Sequence, residues 1–262
     1  MPIPSPKRIS GRDHPEFKRF LAVRARKNRD LILVEGLKLL DEAIRSKLRV
    51  VLVAVDRVSM MDAAAGRHPS LVHFSAPLMK SLSEVETHQG VIALVERPRP
   101  SFGWLEGSLA FALVLDGVQD PGNVGTLFRT AEAAGVAGIV LTRGCADPLS
   151  PKALRASAGS AFRVPHVPDL SVEDLLRLLP SGLTLAAAVA GPGASSLFEA
   201  PLDLPLALAL GSEGSGLDPR LEAASSVRIR VPLAGKVESL NVAAAGAIAL
   251  FEIARRAGIL RN

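Results

Sequence analysis

The residues with chemical capacity in this chain gather in three glycine-rich stretches. The first, Asp116-Gly117-Val118-Gln119-Asp120-Pro121-Gly122-Asn123-Val124-Gly125, leads into a segment carrying Arg129 and Glu132. The second is Gly211-Ser212-Glu213-Gly214-Ser215-Gly216-Leu217, and the third is Pro232-Leu233-Ala234-Gly235-Lys236-Val237-Glu238-Ser239-Leu240-Asn241. Each lies after a short apolar run, and in an open α/β sheet ligands bind beyond the carboxyl ends of the strands. Glycines there let backbone amides and carbonyls approach a ligand closely, which reads an adenine or a carboxylate without long side chains. The common phosphate fingerprints are missing. Gly211, Gly214 and Gly216 are spaced GxxGxG rather than GxGxxG, and Gly235-Lys236 is followed by Val237 where a P-loop requires Ser or Thr. Phosphate-bearing cofactors, and with them a conventional Rossmann dehydrogenase, are disfavoured. For any one loop alone the structural reading is the stronger. Pro121-Gly122 marks a tight turn, Asn123, Ser239 and Asn241 suit helix N-caps, and Arg129 reads as a solvated helix arginine paired with Glu132.

Other chemistries find little support. Cys145 is the single cysteine and reads as a small buried residue; the five histidines are scattered, so no zinc spacing exists and no metal is expected. No histidine is a good general base: His14, His68 and His88 precede the three loops, and His166 is far from all of them in sequence.

The elements that must position these loops alternate in type. Leu31–Val34 reads as a strand, Glu35–Ser46 as a helix and Val50–Val55 as a strand; a helix at Pro77–Ser83, a turn at His88–Gly90 and a strand at Val91–Val95 follow. Glu96-Arg97-Pro98-Arg99-Pro100 reads as a linker, which places a domain boundary near residue 100. Beyond it, Leu109–Leu115, Gly138–Leu141, Leu183–Val189, Leu206–Leu210 and Val227–Val231 are apolar runs of the kind found in parallel strands covered on both faces. Helices lie between most of them. The last, Asn241–Ala257, is alanine-rich nearly all round and is expected at a core or subunit interface.

Charge is concentrated at the front. Residues 1–29 hold nine Lys or Arg against two acids, whereas the rest of the chain has 22 bases and 24 acids. Such a segment suits phosphate neutralisation, with Arg8, Arg12, Arg24, Arg26 and Lys27 as weak candidates for RNA contact. It equally suits the outer coat of a helix whose apolar side is Phe17, Phe20, Leu21 and Val23. No apolar run approaches the roughly 18 residues of a membrane span, and the basic N-terminus lacks the apolar core of a secretory signal, so a cytoplasmic protein is expected.

Taken together, Asn123-x-Gly125-x-x-x-Arg129, Gly211-x-Glu213-Gly214-x-Gly216 and Pro232-x-x-Gly235-x-x-x-Ser239-Leu240-Asn241-Val242 resemble, in order, the three motifs of the SpoU-type RNA 2′-O-methyltransferases of the SPOUT class. Leu33-Val34-Glu35-Gly36 and His88-Gln89-Gly90 also resemble the small substrate-binding domain that precedes the catalytic domain in many ribosomal-RNA members. The resemblance implies a mainly parallel α/β sheet with a deep trefoil knot over residues 101–262, a small α/β RNA-binding domain over 30–100 and the basic leader over 1–29. General topology rules argue against knots, so this one is expected from the likeness alone. The resemblance further implies S-adenosylmethionine as cofactor, held through the backbone of Gly211, Val231 and Leu240. Asn123, Arg129, Glu213, Ser239 and Asn241 would surround the reacting centre, with Glu213 orienting Arg129 and Arg155 a weak RNA-side candidate. It implies a homodimer built around the final helix, and ribosomal RNA ahead of transfer RNA as substrate. The competing readings are a transfer-RNA methyltransferase and a non-catalytic RNA-binding assembly factor.

Overall fold

The computed structural model describes residues 8–57, 60, 70–83, 89–106, 110–191 and 193–260. His68, His88 and Leu109, each part of a sequence expectation, lie outside them. The chain forms two compact units, one from residues 1–99 with 149–162, the other from 100–148 with 163–262. The segment 149–162, which the sequence groups with the second domain, thus belongs with the first unit.

The first unit is a five-stranded mixed sheet in the order β1-β4-β3-β5-β2, where β1 is Arg8–Ile9, β2 Leu31–Glu35, β3 Val50–Val55, β4 Leu71–Phe74 and β5 Val91–Glu96. Helices α1 (Pro15–Arg24), α2 (Leu37–Arg45) and α3 (Ala76–Leu82) accompany it. Residues 8–29 are not a separate leader. β1 pairs in parallel with β4, and α1 buries Phe17, Phe20 and Val23 in a core shared with Leu33, Phe74, Met79 and Leu94. Phe17 and Phe20 both meet Phe74 edge-on, at centroid distances of 5.5 and 5.4 Å. Two aromatic side chains of this size supply far more burial energy than a solvated tail could forgo, so they bring the basic helix in with them.

The second unit is a seven-stranded parallel sheet in the order β10-β12-β9-β11-β6-β7-β8. Its strands are β6 (Phe111–Asp116), β7 (Gly138–Thr142), β8 (His166–Leu170), β9 (Thr184–Ala188), β10 (Ser195–Ser196), β11 (Leu206–Gly211) and β12 (Val227–Arg230). Every residue of β6 and β7 is buried, as the apolar runs require for strands covered on both faces. The helices are α4 (Pro121–Ala133), α7 (Val172–Leu178), α8 (Pro219–Ala224) and α9 (Val242–Arg256); α5 (Pro151–Ser157) and most of α6 (Ser160–Arg163) lie in the segment that joins the first unit. The chain runs outward from β6 through β7 to β8, then crosses to β9 and returns with β11 between β9 and β6. The order therefore reverses at the β6–β11 neighbourhood, the place where open parallel sheets bind ligands.

Helix α9 is buried along one side only. Val242, Gly246, Leu250 and Ile253 face inward, whereas Ile248 and Phe251 are 38% and 42% exposed. Gly246 lies where a methyl group would meet Leu127 Cδ2 at 2.5 Å, so its lack of a side chain sets the close approach of α9 to α4.

Candidate active site

The carboxyl ends of β6 and β11 are in register, Asp116 opposite Gly211, and two of the three sequence loops leave from them. Asp116 is buried and braces this end of the sheet. Its Oδ1 accepts from Thr142 Oγ1 at 2.6 Å and its Oδ2 from the Asp218 amide at 2.6 Å, while Thr142 Oγ1 accepts from the Gly117 amide at 3.2 Å. One carboxylate thus ties β6 to β7 and to the segment entering α8, at the low cost of a buried charge whose oxygens are both hydrogen-bonded. In the sequence Asp116 reads only as the first residue of a loop. A carboxylate closing a wholly apolar strand is the signal that identifies it.

The first loop enters α4 one turn earlier than the sequence suggests. Asp120, not Asn123, is the N-cap: its Oδ1 accepts from the amides of Gly122 and Asn123 at 2.7 and 3.0 Å, and Pro121, having no amide hydrogen, takes the first helical position. The Asn123 side chain is therefore free for another task. The third loop ends as expected, with Asn241 capping α9 through Oδ1, which accepts from Ala243 and Ala244 at 3.0 and 3.3 Å.

These two asparagines converge on the second loop. Glu213 Oε1 accepts from Asn241 Nδ2 at 2.6 Å, from Asn123 Nδ2 at 3.1 Å and from the Val242 amide at 3.4 Å, and Asn241 Nδ2 also donates to Asn123 Oδ1 at 3.1 Å. Three residues 90 and 28 positions apart thereby form one hydrogen-bonded cluster. The loop that presents Glu213 is a tight hairpin closed by reciprocal bonds between Ser212 and Gly216 at 3.1 and 3.0 Å. A Cβ on Gly211 would run into the Gly216 carbonyl and the Leu217 amide, so this glycine is required by the turn itself rather than by a ligand.

Beside the cluster lies a cleft of roughly 710 Å³, within the range of small-molecule sites. Glu213, Gly211, Val231, Ser239 and Leu240 all line it, with the apolar side chains of Leu210, Leu233 and Val242. Its two arginines are engaged: Arg228 pairs with Glu222 at 2.6 Å, and Arg230 donates to the Ala194 carbonyl at 3.3 Å. Arg129 stands apart. It is exposed on α4 and has no partner among the described residues. Neither expected partner reaches it, since Glu213 holds the asparagines and Glu132 binds Arg163 Nη2 at 2.9 Å. Cys145 donates to the Leu115 carbonyl at 3.2 Å, and burial pushes its thiol pKa up, which disfavours a thiolate nucleophile.

The weak RNA candidates are dispersed within the first unit. Arg8 and Arg12 are exposed at the β1 edge, Arg24 donates to the Ser81 carbonyl, and Arg26 and Lys27 are exposed in the turn after α1. Arg155 lies 3.9 Å from the Glu35 carboxylate in a smaller cleft shared with Lys38 and Gln89.

A reversed parallel sheet with a glycine hairpin, an asparagine-capped terminal helix and a shared carboxylate defines the class: the chain belongs to the SpoU rRNA Methylase family, whose model matches residues 110–251. Residues 12–93 match the MRM3-like substrate binding domain. Over 243 residues the chain is 33% identical to the 23S rRNA (guanosine(2553)-2′-O)-methyltransferase RlmP of Bacillus subtilis, covering 91% of this chain and 94% of that one. The structure superposes on the AdoMet-bound rRNA methyltransferase of Sinorhizobium meliloti with a TM-score of 0.81 at 28% identity, covering 95% and 98% of the two chains. A putative RNA methyltransferase of the TrmH family from Porphyromonas gingivalis gives 0.77 at 35% identity, covering 92% and 97%. Among the described residues no helix is long and apolar enough to cross a membrane.

Proposed function

We propose that this protein transfers a methyl group from S-adenosylmethionine to a ribose 2′-hydroxyl of structured RNA, specifically large-subunit ribosomal RNA. The observation that carries the reading is the meeting of Asn123, Glu213 and Asn241 from three separate loops, beside a cleft that Glu213 itself lines. The relatives' names point to the same reaction and RNA.

The cleft suits this cofactor. Backbone groups of Gly211, Val231 and Leu240 and the apolar side chains around them accommodate a purine nucleoside, and the carboxylates of Glu213 and Glu238 suit a ligand bearing cationic groups. Neither arginine of the lining is free for a phosphate. When bound, S-adenosylmethionine supplies an electrophilic methyl carbon on a positively charged sulfur. The protein's part is alignment and exclusion of competing geometries, which for a displacement of this kind contributes more than charge creation. Asn123 and Asn241 fix Glu213, and Ser239 adds a hydroxyl to the cleft wall. Arg129 is the essential residue for the hydroxyl. Guanidinium groups stay protonated in proteins, which favours a clamp on the RNA phosphate or the 2′-oxygen over a proton acceptor. The exposed Ile248 and Phe251 on the outer side of α9 suit pairing with a second copy, giving a homodimer around that helix. Action on ribosomal RNA gives a cytoplasmic address, and the knotted path of the chain is part of the same family reading.

The test begins with calorimetry. S-adenosylmethionine and its demethylated product should each bind at one site per chain, with NAD showing no heat. Ribosomal RNA methylated by the protein should then be mapped for 2′-O-methylation. An Arg129→Ala protein that binds cofactor and methylates at the normal rate would remove the assignment of that residue, and NAD binding in place of S-adenosylmethionine would overturn the function.

A further inference from the structure

The strand register of the first unit's sheet brings together basic residues that are far apart in sequence. Leu31 at the start of β2 pairs with Glu96 at the end of β5, and Val50 at the start of β3 pairs with Val95, so three chain segments meet at one end of the sheet. Arg97 donates its amide to the Asp30 carbonyl at 2.8 Å and Glu96 donates its own to the Arg49 carbonyl at 2.9 Å, which stitches the segments to each other. Residues 24–30, 45–49 and 96–99 contain nine Lys or Arg against two acids. That net of +7 exceeds the +5 of the entire chain.

Two of the segments are built alike. α1 and α2 each end with a basic residue in the left-handed region, Arg26 at φ +56° and Lys47 at φ +58°, where glycine is the usual occupant. The bonds match: Arg26 to the Val23 carbonyl and Lys27 to Ala22 in one, Lys47 to Ile44 and Leu48 to Ala43 in the other. A cation gains from the helix carbonyl end, which offsets part of the backbone strain at both caps. That gain does not extend to Arg29, Arg49 or Arg99, which lie outside the helices. Acids quench little of the charge. Arg45 pairs with Glu42 at 2.8 Å and Arg49 with Glu96 at 2.9 Å, whereas Arg26, Lys27, Arg29 and Lys47 have no ion-pair partner among the described residues and all are exposed. Like charges crowded on one rim repel one another, and a polyanion laid across them relieves that repulsion.

We infer that this basic rim, formed by the turns after α1 and α2 and the segment leaving β5, is the surface on which the protein grips the phosphate backbone of its RNA. The inference rests on RNA being the substrate and specifies where it is held. It keeps the second half of the basic leader, Arg24 to Arg29, in phosphate binding and sets aside the first: Arg8 pairs in register with His73, which pairs with Val55, so it sits at the opposite end of the sheet, and Arg12 follows it.

The test uses the full chain and protein-free large-subunit ribosomal RNA. A four-site variant, Arg26→Asn, Lys27→Gln, Arg29→Gln and Lys47→Asn, keeps the two left-handed caps by using asparagine there. Affinity is measured across a salt series, with S-adenosylmethionine affinity beside it and anionic lipid vesicles as a second polyanion. The variant should bind RNA at least about tenfold more weakly near 0.1 M salt, with a log–log salt slope shallower by about 3 for four lost phosphate contacts, and bind the cofactor normally. An unchanged slope, or a slope flattened instead by Arg8→Gln with Arg12→Gln, would overturn the rim. Loss of vesicle binding with RNA binding intact would also overturn it, in favour of a membrane-surface role. If the unmodified protein neither binds nor methylates RNA, the proposed function itself fails, an outcome distinct from failure of the rim.

Discussion

Asn241 makes two kinds of bond with one side chain, and replacing it by aspartate separates them. Its Oδ1 caps α9 by accepting from Ala243 and Ala244, and its Nδ2 donates to Glu213 at 2.6 Å and to Asn123 at 3.1 Å. In Asn241→Asp the cap is kept and its charge sits well at the helix N-terminus. The donor, however, becomes an oxygen facing the Glu213 carboxylate. Two carboxylates at this distance repel by about 1–2 kcal/mol in a largely solvated site, and the lost charge-assisted bond adds about 1 kcal/mol. The sum corresponds to a melting temperature lower by about 4–10 °C at pH 8 for a chain of this size. The deficit is pH-dependent. Repulsion raises a carboxyl pKa of the pair in the folded state, so the folded form holds the extra proton and stability falls as pH rises through that titration. Lowering the pH from 8 to about 5 should therefore return part of the repulsion, about 0.3–1 kcal/mol of the difference from wild type. Asn241→Ala is the comparison: it loses cap and donors alike, costs about 2 kcal/mol, and its deficit does not change over the same range. Scanning calorimetry of the three proteins between pH 5 and 8 measures this. An aspartate variant as stable as wild type at pH 8, or one whose deficit ignores pH, would refute the cluster as described.

Gly211→Ala should open the hairpin by driving a methyl group into the Gly216 carbonyl, costing about 1–3 kcal/mol and weakening S-adenosylmethionine binding in calorimetry more than it lowers the melting temperature of the fold. Thr142→Val removes the 2.6 Å donor to Asp116 without changing side-chain volume greatly, and should cost about 2 kcal/mol in urea unfolding. Glu252 has its pKa lowered to about 2 by hydrogen bonds from Arg255 and Arg256, so its contribution is full above pH 4.5 and fades as pH falls toward 2. Glu252→Gln should flatten the acid limb of the melting profile over that window, and should loosen Arg256 from the Ala200 and Leu197 carbonyls it now bridges.

The central strands β6, β7, β9 and β11 were legible because each is a short apolar run largely buried on both faces, whereas β12 alternates Val227 and Ile229 with exposed Arg228 and Arg230. β6, β7, β9, β11 and β12 fall within a residue or two of the runs that mark them. What escaped was mainly at the edges. β1 and β10 are two residues long, and β8 contains Pro168 and a left-handed Asp169, both tolerated because the strand closes one side of the sheet. β4 is four residues with a histidine in it, too brief for periodicity to register. In the site, the three motifs contain Asn123, Glu213 and Asn241, which the structure joins by hydrogen bonds, but only coordinates set Arg129 apart from them and distinguish Asp120 as the cap that frees Asn123. The brace at Asp116 joins positions 26 and 102 residues apart, a separation that no local pattern reports.

The burial of α1 changes what a shortened form of this protein would be. A chain starting at residue 30 looks from its charge like the same molecule without a polar appendage. It would in fact leave Phe74 without Phe17 and Phe20 and strip the edge partner from β4. Such a fragment presents raw apolar surface and an open strand, the usual ingredients of inclusion bodies. A loss of RNA affinity on truncation would therefore combine collapse of the unit with removal of Arg24, Arg26, Lys27 and Arg29, and only point substitutions separate the two. The charge on α1 thus rides on an inward face that Phe17 and Phe20 anchor against Phe74.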